Sequence, residues 1–292
     1  MFQSKSLKPF RHAQTPTALV AKFIFLSSIS LIGATSLLPN NVAANPQTNM
    51  FPGLAEDLRN GEYWYRSKAI HGSGSQKLGY DLTAIRFDKA TKNWTTNKPG
   101  TNGSKNEHKL IYGQPLYATT AGKVIRCWRN APNNPAPGES HPGRLSTPKT
   151  IGGAGNFILL DIGNNQRELI AHMAPGSVPT SLCPFNKKFM ADASDKSEST
   201  VPAGQQAKVK PGTFLGRVGN GGASSGPHLH IDRSTKNGKP VPLPFDKFWT
   251  KSIATNVDSP NQWKKAKNQA LPPGKVAILP PFKSGSKEIA RH

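Results

Sequence analysis

The chain has 292 residues, enough for one or two domains with a real hydrophobic core. Its 27 glycines and 26 prolines, with little sustained helical periodicity, suit a loop-rich β protein better than a helical one. A formal net charge of +22 predicts attraction to polyanions such as cell-wall polymers, anionic lipid headgroups or nucleic acid. No motif interleaves stacking aromatics with basic residues, so no specific nucleic acid is expected.

Residues 1–44 read as a secretory signal. Lys5, Lys8, Arg11 and Lys22 precede or enter an apolar run at 23–38, and Val42-Ala43-Ala44 follows as a small-residue cleavage site. The run is short for a bilayer-spanning helix, which needs about 20 apolar residues, so no transmembrane anchor is expected after cleavage. These 44 residues hold four basic residues and no acid, so 34 basic against 16 acidic residues leave +18 beyond them. Residues 45–62 form a lead-in with little pattern. A strand-rich core is expected over 63–248, and a Lys- and Pro-rich tail over 249–292.

Within the core, strands are predicted at 79–85 (GYDLTAI), 115–128 (PLYATTAGKVIRCW, broken at Gly122), 155–163 (GNFILLDIG), 167–173 (RELIAHM), 213–219 (TFLGRVG) and 228–233 (HLHIDR). Each is short, rich in β-branched or aromatic residues, and fenced by Gly, Pro, Asn or Asp. Gly163-Asn164-Asn165 between two of them reads as a hairpin turn. Polar segments at about 88–112, 129–151 and 184–208 read as long surface loops, positioned to wall a cleft. Cys127 and Cys183 are the only cysteines; in an exported chain they are expected to pair, clipping a long loop.

Eight histidines are present. His12 falls in the signal, His292 ends the chain, and His108 and His141 sit in polar loops. His71, His172, His228 and His230 each stand beside a predicted strand. In a strand, residues i and i+2 face the same side about 7 Å apart. His228 and His230 therefore share a face, one suited to hold a metal and the other to face its water. Two half-exposed strand histidines with no such role would have the same spacing.

The segment VGNGGASSGPHLHIDR (218–233) resembles the closing signature of the lysostaphin/LytM-type peptidoglycan metallopeptidases. Further segments resemble that family in the same order: GQPLYATTAGKV (113–124), GGAGNFILLDIG (152–163), LIAHMAPGSV (169–178) and VKPGTFLGRVGNGG (209–222). The resemblance covers roughly 70–250. It implies an antiparallel β-sheet or sandwich fold with an open groove, one Zn2+ per chain, and peptidoglycan peptides as substrates. It also implies that His230 and Asp81 ligate zinc and that His172 and His228 are catalytic.

The first metal motif departs from the family. The family has a histidine four positions before the aspartate, where this chain has Lys77, a poor ligand while its amine is protonated. His71 lies ten positions upstream, across a glycine-serine loop, and is the expected third ligand. Two imidazoles and one carboxylate leave a coordination position open, the catalytic rather than the structural pattern. The expectation is an exported zinc endopeptidase, in the periplasm or extracellular at the cell wall, with loops that set substrate choice. Competing readings are a metal-free relative that binds envelope proteins, such as an activator of cell-wall amidases, and a basic envelope-binding or nucleic-acid-binding module.

Overall fold

Strands form where β-branched and aromatic residues alternate, and they join into one large antiparallel sheet. The computed structural model describes residues 49–66, 74–253 and 263–283, all inside a unit spanning Ala44–His292. A second unit, Met1–Ala43, holds most of the expected signal and lies outside the described residues, as does His71. Among the described residues, no helix is long and apolar enough to cross a membrane.

The strands are β1 (Glu62–Arg66), β2 (Tyr80–Asp88), β3 (Asn93–Thr95), β4 (Pro115–Tyr117), β5 (Gly122–Trp128), β6 (Asn156–Gly163), β7 (Gln166–Met173), β8 (Lys208–Val209), β9 (Phe214–Arg217), β10 (Leu229–Thr235), β11 (Phe245–Ser252), β12 (Lys264–Gln269) and β13 (Val276–Leu279). The large sheet runs β12-β11-β13-β1-β2-β10-β7-β6-β5-β8, with β3 on the end of β2. The ribbon β4–β9 stands apart as a two-stranded sheet. This is the mainly antiparallel β architecture expected.

Alternation sets the two faces. On β2, Tyr80, Leu82 and Ala84 point into the core, as do Trp64 on β1 and Leu229 and Ile231 on β10. Leu116 of β4 and Leu215 of β9 join the same core, so the ribbon covers this face of the sheet. Asp81 and Thr83 of β2, with His230 and Asp232 of β10, occupy the opposite face. The turn between β6 and β7 has Asn164 and Asn165 at φ +49° and +58°, the left-handed pair that a two-residue hairpin turn requires.

Residues 249–253 and 263–283 belong to the sheet rather than to the expected tail. Trp249 continues β11, and β13 pairs with β1 in the sheet interior. All four β13 residues are buried, because this strand is covered on both faces and an uninterrupted apolar run suits that place. Prolines on either side had disguised the run as linker.

The lead-in is anchored by a buried charge pair. Arg233 Nη2 donates to Glu168 Oε2 at 2.6 Å and to Asn49 Oδ1 at 2.7 Å, and Thr119 Oγ1 donates to Glu168 Oε1 at 2.6 Å. Cys127 of β5 is bonded to Cys183, with Cα atoms 5.8 Å apart, which ties the segment after β7 to the sheet.

Candidate metal centre and cleft

The register places the site. His230 of β10 lies between Asp81 of β2 and Ala171 of β7, so His230 and Asp81 project side by side from one face. His230 Nδ1 stands 2.9 Å from Asp81 Oδ1, and His228 Nε2 stands 3.4 Å from the same oxygen. The His172 ring centroid is 4.6 Å from that of His228 and 5.9 Å from that of His230.

His172 reaches this cluster through a break in β7. Asn156 pairs with Met173 but Ile158 pairs with Ile170, so β7 carries one extra residue there. His172 takes φ +62° at this bulge, a conformation uncommon for a side-chain-bearing residue. Bulges re-aim side chains in this way next to active sites.

The glycine-rich turn before β10 packs backbone on backbone. A Cβ on Gly155 would meet the Gly221 carbonyl carbon at 2.5 Å, and one on Gly219 would meet the Ala174 nitrogen at 2.5 Å. Only glycine permits this approach, which brings the Gly221 carbonyl oxygen to 2.7 Å from His172 Nδ1. His228 Nδ1 lies 2.8 Å from the Gly226 carbonyl oxygen. A carbonyl only accepts, so Nδ1 of each ring is the donor to it; in His172 this leaves Nε2 with its lone pair, whereas Nε2 of His228 faces Asp81 Oδ1.

The same environment sets the charges. Burial, reinforced by His228 and His230, pushes His172 down to about 3, so its imidazole is neutral at neutral pH. Burial also works against charge on His230, but bonds to Asp232 and Asp81 outweigh it and hold this imidazole at about 9. Burial alone would raise the Asp81 carboxyl. The bonds from His228 and His230 prevail and hold it well below the usual carboxylate range.

Sequence reasoning passed over two groups of residues. Asp232 Oδ2 lies 3.0 Å from His230 Nε2, buried behind the ring. Its signal was in view, since Asp232 is two residues beyond His230 on the same strand face. The second group is an asparagine network joining two loops to the turn. Asn220 Nδ2 donates to Asn106 Oδ1 at 2.8 Å, and Asn106 Nδ2 donates to the Asn134 carbonyl at 2.8 Å. Ser224 Oγ donates to Asn220 Oδ1 at 2.7 Å and lies 3.2 Å from His228 Nδ1.

A cavity of about 330 Å³ opens at the cluster. Its floor is Tyr65, Asp81 and Thr83; one wall is Thr96 and Lys109; the other runs from Ser225 to His228 with Pro137. Two of the three predicted loops thus wall the cleft. The third packs against β5, where Arg126 Nη2 donates to Ser199 Oγ at 2.7 Å. Lys77 is exposed in the turn before β2. His108 bonds Asn102, and His141 caps the helix α1 (Pro142–Leu145), so neither joins the cluster.

The donor chemistry suits a divalent metal in part. A carboxylate oxygen and an imidazole nitrogen converge from adjacent strands, and a carboxylate backs the imidazole, as metal-ligating histidines commonly require. Among the described residues no set of three His, Cys, Asp or Glu side chains is arranged to hold a metal ion. The expected third donor, His71, lies outside them.

No protein-family model matches the sequence, and no curated protein matches it. Solved structures that align with it include the deep-sea M23 metalloprotease pseudoalterin, at 18% identity over 81% of this chain and 98% of that one, with a TM-score of 0.35. The catalytic domain of the antimicrobial peptidase lysostaphin from Staphylococcus simulans aligns at 19% identity over 62% of this chain and 84% of that one, with a TM-score of 0.27. A zinc-containing peptidase from Vibrio cholerae aligns at 15% identity over 56% of this chain, with a TM-score of 0.26, and the match spans about half, 48%, of that chain.

Proposed function

We propose that the chain is an exported zinc-dependent endopeptidase of the lysostaphin/LytM type that cleaves peptide bonds in bacterial peptidoglycan. The observation that carries this reading is the convergence of His230 Nδ1 and His228 Nε2 on Asp81 Oδ1, at 2.9 and 3.4 Å, with His172 packed against His228 and with Asp81 and His228 lining an open cleft. Asp81 and His230 would hold the zinc, with His71 as third ligand. Bound there, zinc supplies a Lewis acid that polarises a carbonyl and acidifies water.

The chain's own residues divide the proton work. His228 lines the cleft with Nδ1 donating to the Gly226 carbonyl; once Asp81 is engaged by the metal, Nε2 would take the proton of the attacking water and return it to the leaving amine. His172 is deeper and neutral, its Nε2 a second acceptor at the same cluster. The Asn220–Ser224 network fixes the turn that presents His228. The basic surface favours accumulation at anionic wall polymers.

The test is metal content and hydrolysis on the purified protein. Wild type is expected to bind one zinc and release new amino termini from peptidoglycan. His71→Ala and His230→Ala are expected to lose zinc, and His228→Ala to keep zinc but lose at least 100-fold in rate. A wild-type protein that takes up no zinc and cuts nothing sinks the peptidase reading in favour of a binding protein.

A further inference from the structure

Lys109 stands in the cleft without an anionic partner. The arms 96–98 and 108–110 of its loop pair with each other, with Leu110 N–H donating to the Thr96 carbonyl and Lys98 N–H to the His108 carbonyl. This pairing carries Thr96 and Lys109 to the wall facing Ser225–His228. Lys109 Nζ donates to Asn97 Oδ1 at 2.8 Å, and that amide oxygen is neutral. Among the described residues no carboxylate forms an ion pair with Lys109. Half-buried as it is, its amine is held below its ordinary value by desolvation.

The lining around it has a consistent chemistry. Thr83, Thr96 and Ser225 add hydroxyls, and the one carboxylate in the lining, Asp81, is already engaged by two histidines. An ammonium with spare N–H donors, hydroxyls in the same lining and no carboxylate ion-paired to it makes a receptor for a carboxylate. Treated as a sphere, a cavity of about 330 Å³ is roughly 9 Å across, or about two to three residues of extended chain at ~3.4 Å each. An anion on Lys109 therefore belongs to a residue next to, or one removed from, the bond that His228 serves.

We infer that Lys109 is a specificity residue that selects peptides carrying a free carboxylate within one or two residues of the cleaved amide. This rests on the peptidase reading for the word "cleaved", but the recognition itself does not need catalysis. The carboxylate could be a side-chain acid or a chain terminus; both present the same group.

The test uses three synthetic peptides of one sequence: side-chain acid with amidated terminus, free terminus with side-chain amide, and both amidated. Binding to the full protein is measured by calorimetry and hydrolysis by kcat/KM. Wild type is expected to prefer one acid peptide over the diamide by about tenfold in both measurements, as befits one charge-assisted hydrogen bond. Which acid peptide gains identifies the source of the carboxylate. Lys109→Gln is expected to bring the ratio to about one, and Lys109→Met, which keeps the stem without a donor, to do the same. Equal binding of all three peptides by wild type overturns the inference, as does a ratio that survives in Lys109→Gln. If no peptide is cut but the acid preference in binding is present and lost in Lys109→Gln, the specificity site stands and the peptidase reading falls.

Discussion

Replacing Asp232 tests the proposed metal centre at a residue outside the proposed ligand set. Without metal, His230 sits between two carboxylates and keeps its proton up to about pH 9. A metal that ligates through Nδ1 must displace that proton. At pH 7 this competition lowers zinc affinity by roughly 100-fold, tenfold for each unit below the imidazole's value. Wild-type affinity should therefore climb about tenfold per unit from pH 7 towards 9 and then level. Asp232 acts in two opposite senses. It strengthens the competing proton, yet it accepts the Nε2 hydrogen once Nδ1 ligates, and a buried charge-assisted bond of this kind is worth about 1.5–3 kcal/mol, or roughly 10- to 150-fold. Asp232→Ala should thus bind zinc about 10- to 100-fold more weakly at pH 9.5, with a much smaller deficit at pH 7, where its proton competitor is weaker. Asp232→Asn, which keeps an acceptor but not the charge, should fall between. Competition for zinc with a chromogenic chelator at three pH values reads both effects, with circular dichroism to confirm folding. Wild-type affinity in Asp232→Ala at pH 9.5, or a deficit equal at every pH, would refute the reasoning.

Two further expectations concern stability. Glu168→Gln leaves the buried Arg233 guanidinium without its carboxylate, which costs about 3–5 kcal/mol; at about 2–4 °C per kcal/mol for a domain of this size, Tm should fall by roughly 6–20 °C in a calorimetric scan. Glu168→Leu with Arg233→Met should recover most of that loss, and a single variant that melts with wild type would show the pair to be energetically idle. Asp57 lies where desolvation raises its carboxyl to about 6. An acid raised on folding binds its proton more tightly in the folded state, so stability is lost as pH rises from about 4 to 6 and is not regained above that. Asp57→Asn removes this loss, and its Tm relative to wild type should rise across that window; a difference that is flat with pH would contradict the assignment.

The interior strands were legible because alternation was strong. GYDLTAI and HLHIDR each set one apolar row against one polar row, and a one-residue slip would bury Asp81 and His230 in the core. Their register follows from that constraint, and with it the meeting of Asp81 and His230. The strand β13 was hidden for the opposite reason. VAIL has no alternation because both of its faces are covered, and the prolines around it resemble those of a linker. Its partner β11 shows why position in the chain misleads: the last strands in sequence close the sheet beside the first.

The site was legible only as far as residue type reveals chemistry. Histidines advertise themselves, so His172, His228 and His230 could be singled out before their geometry was known. Asp232 could not be weighed in the same way, because an aspartate on the polar face of a strand is ordinary and only its 3.0 Å approach to His230 Nε2 gives it a task. Lys109 was hidden more deeply. It is one of 38 basic residues, and nothing nearby in sequence distinguishes it. What sets it apart is a loop that folds back on itself and brings this one lysine into the lining of the cleft. Net charge therefore describes how the protein is drawn to a surface, whereas the placement of a single lysine decides which peptide the cleft would prefer on arrival. The two effects separate by salt: added electrolyte should weaken surface attraction steeply, yet leave most of the acid preference at the half-buried Lys109 intact.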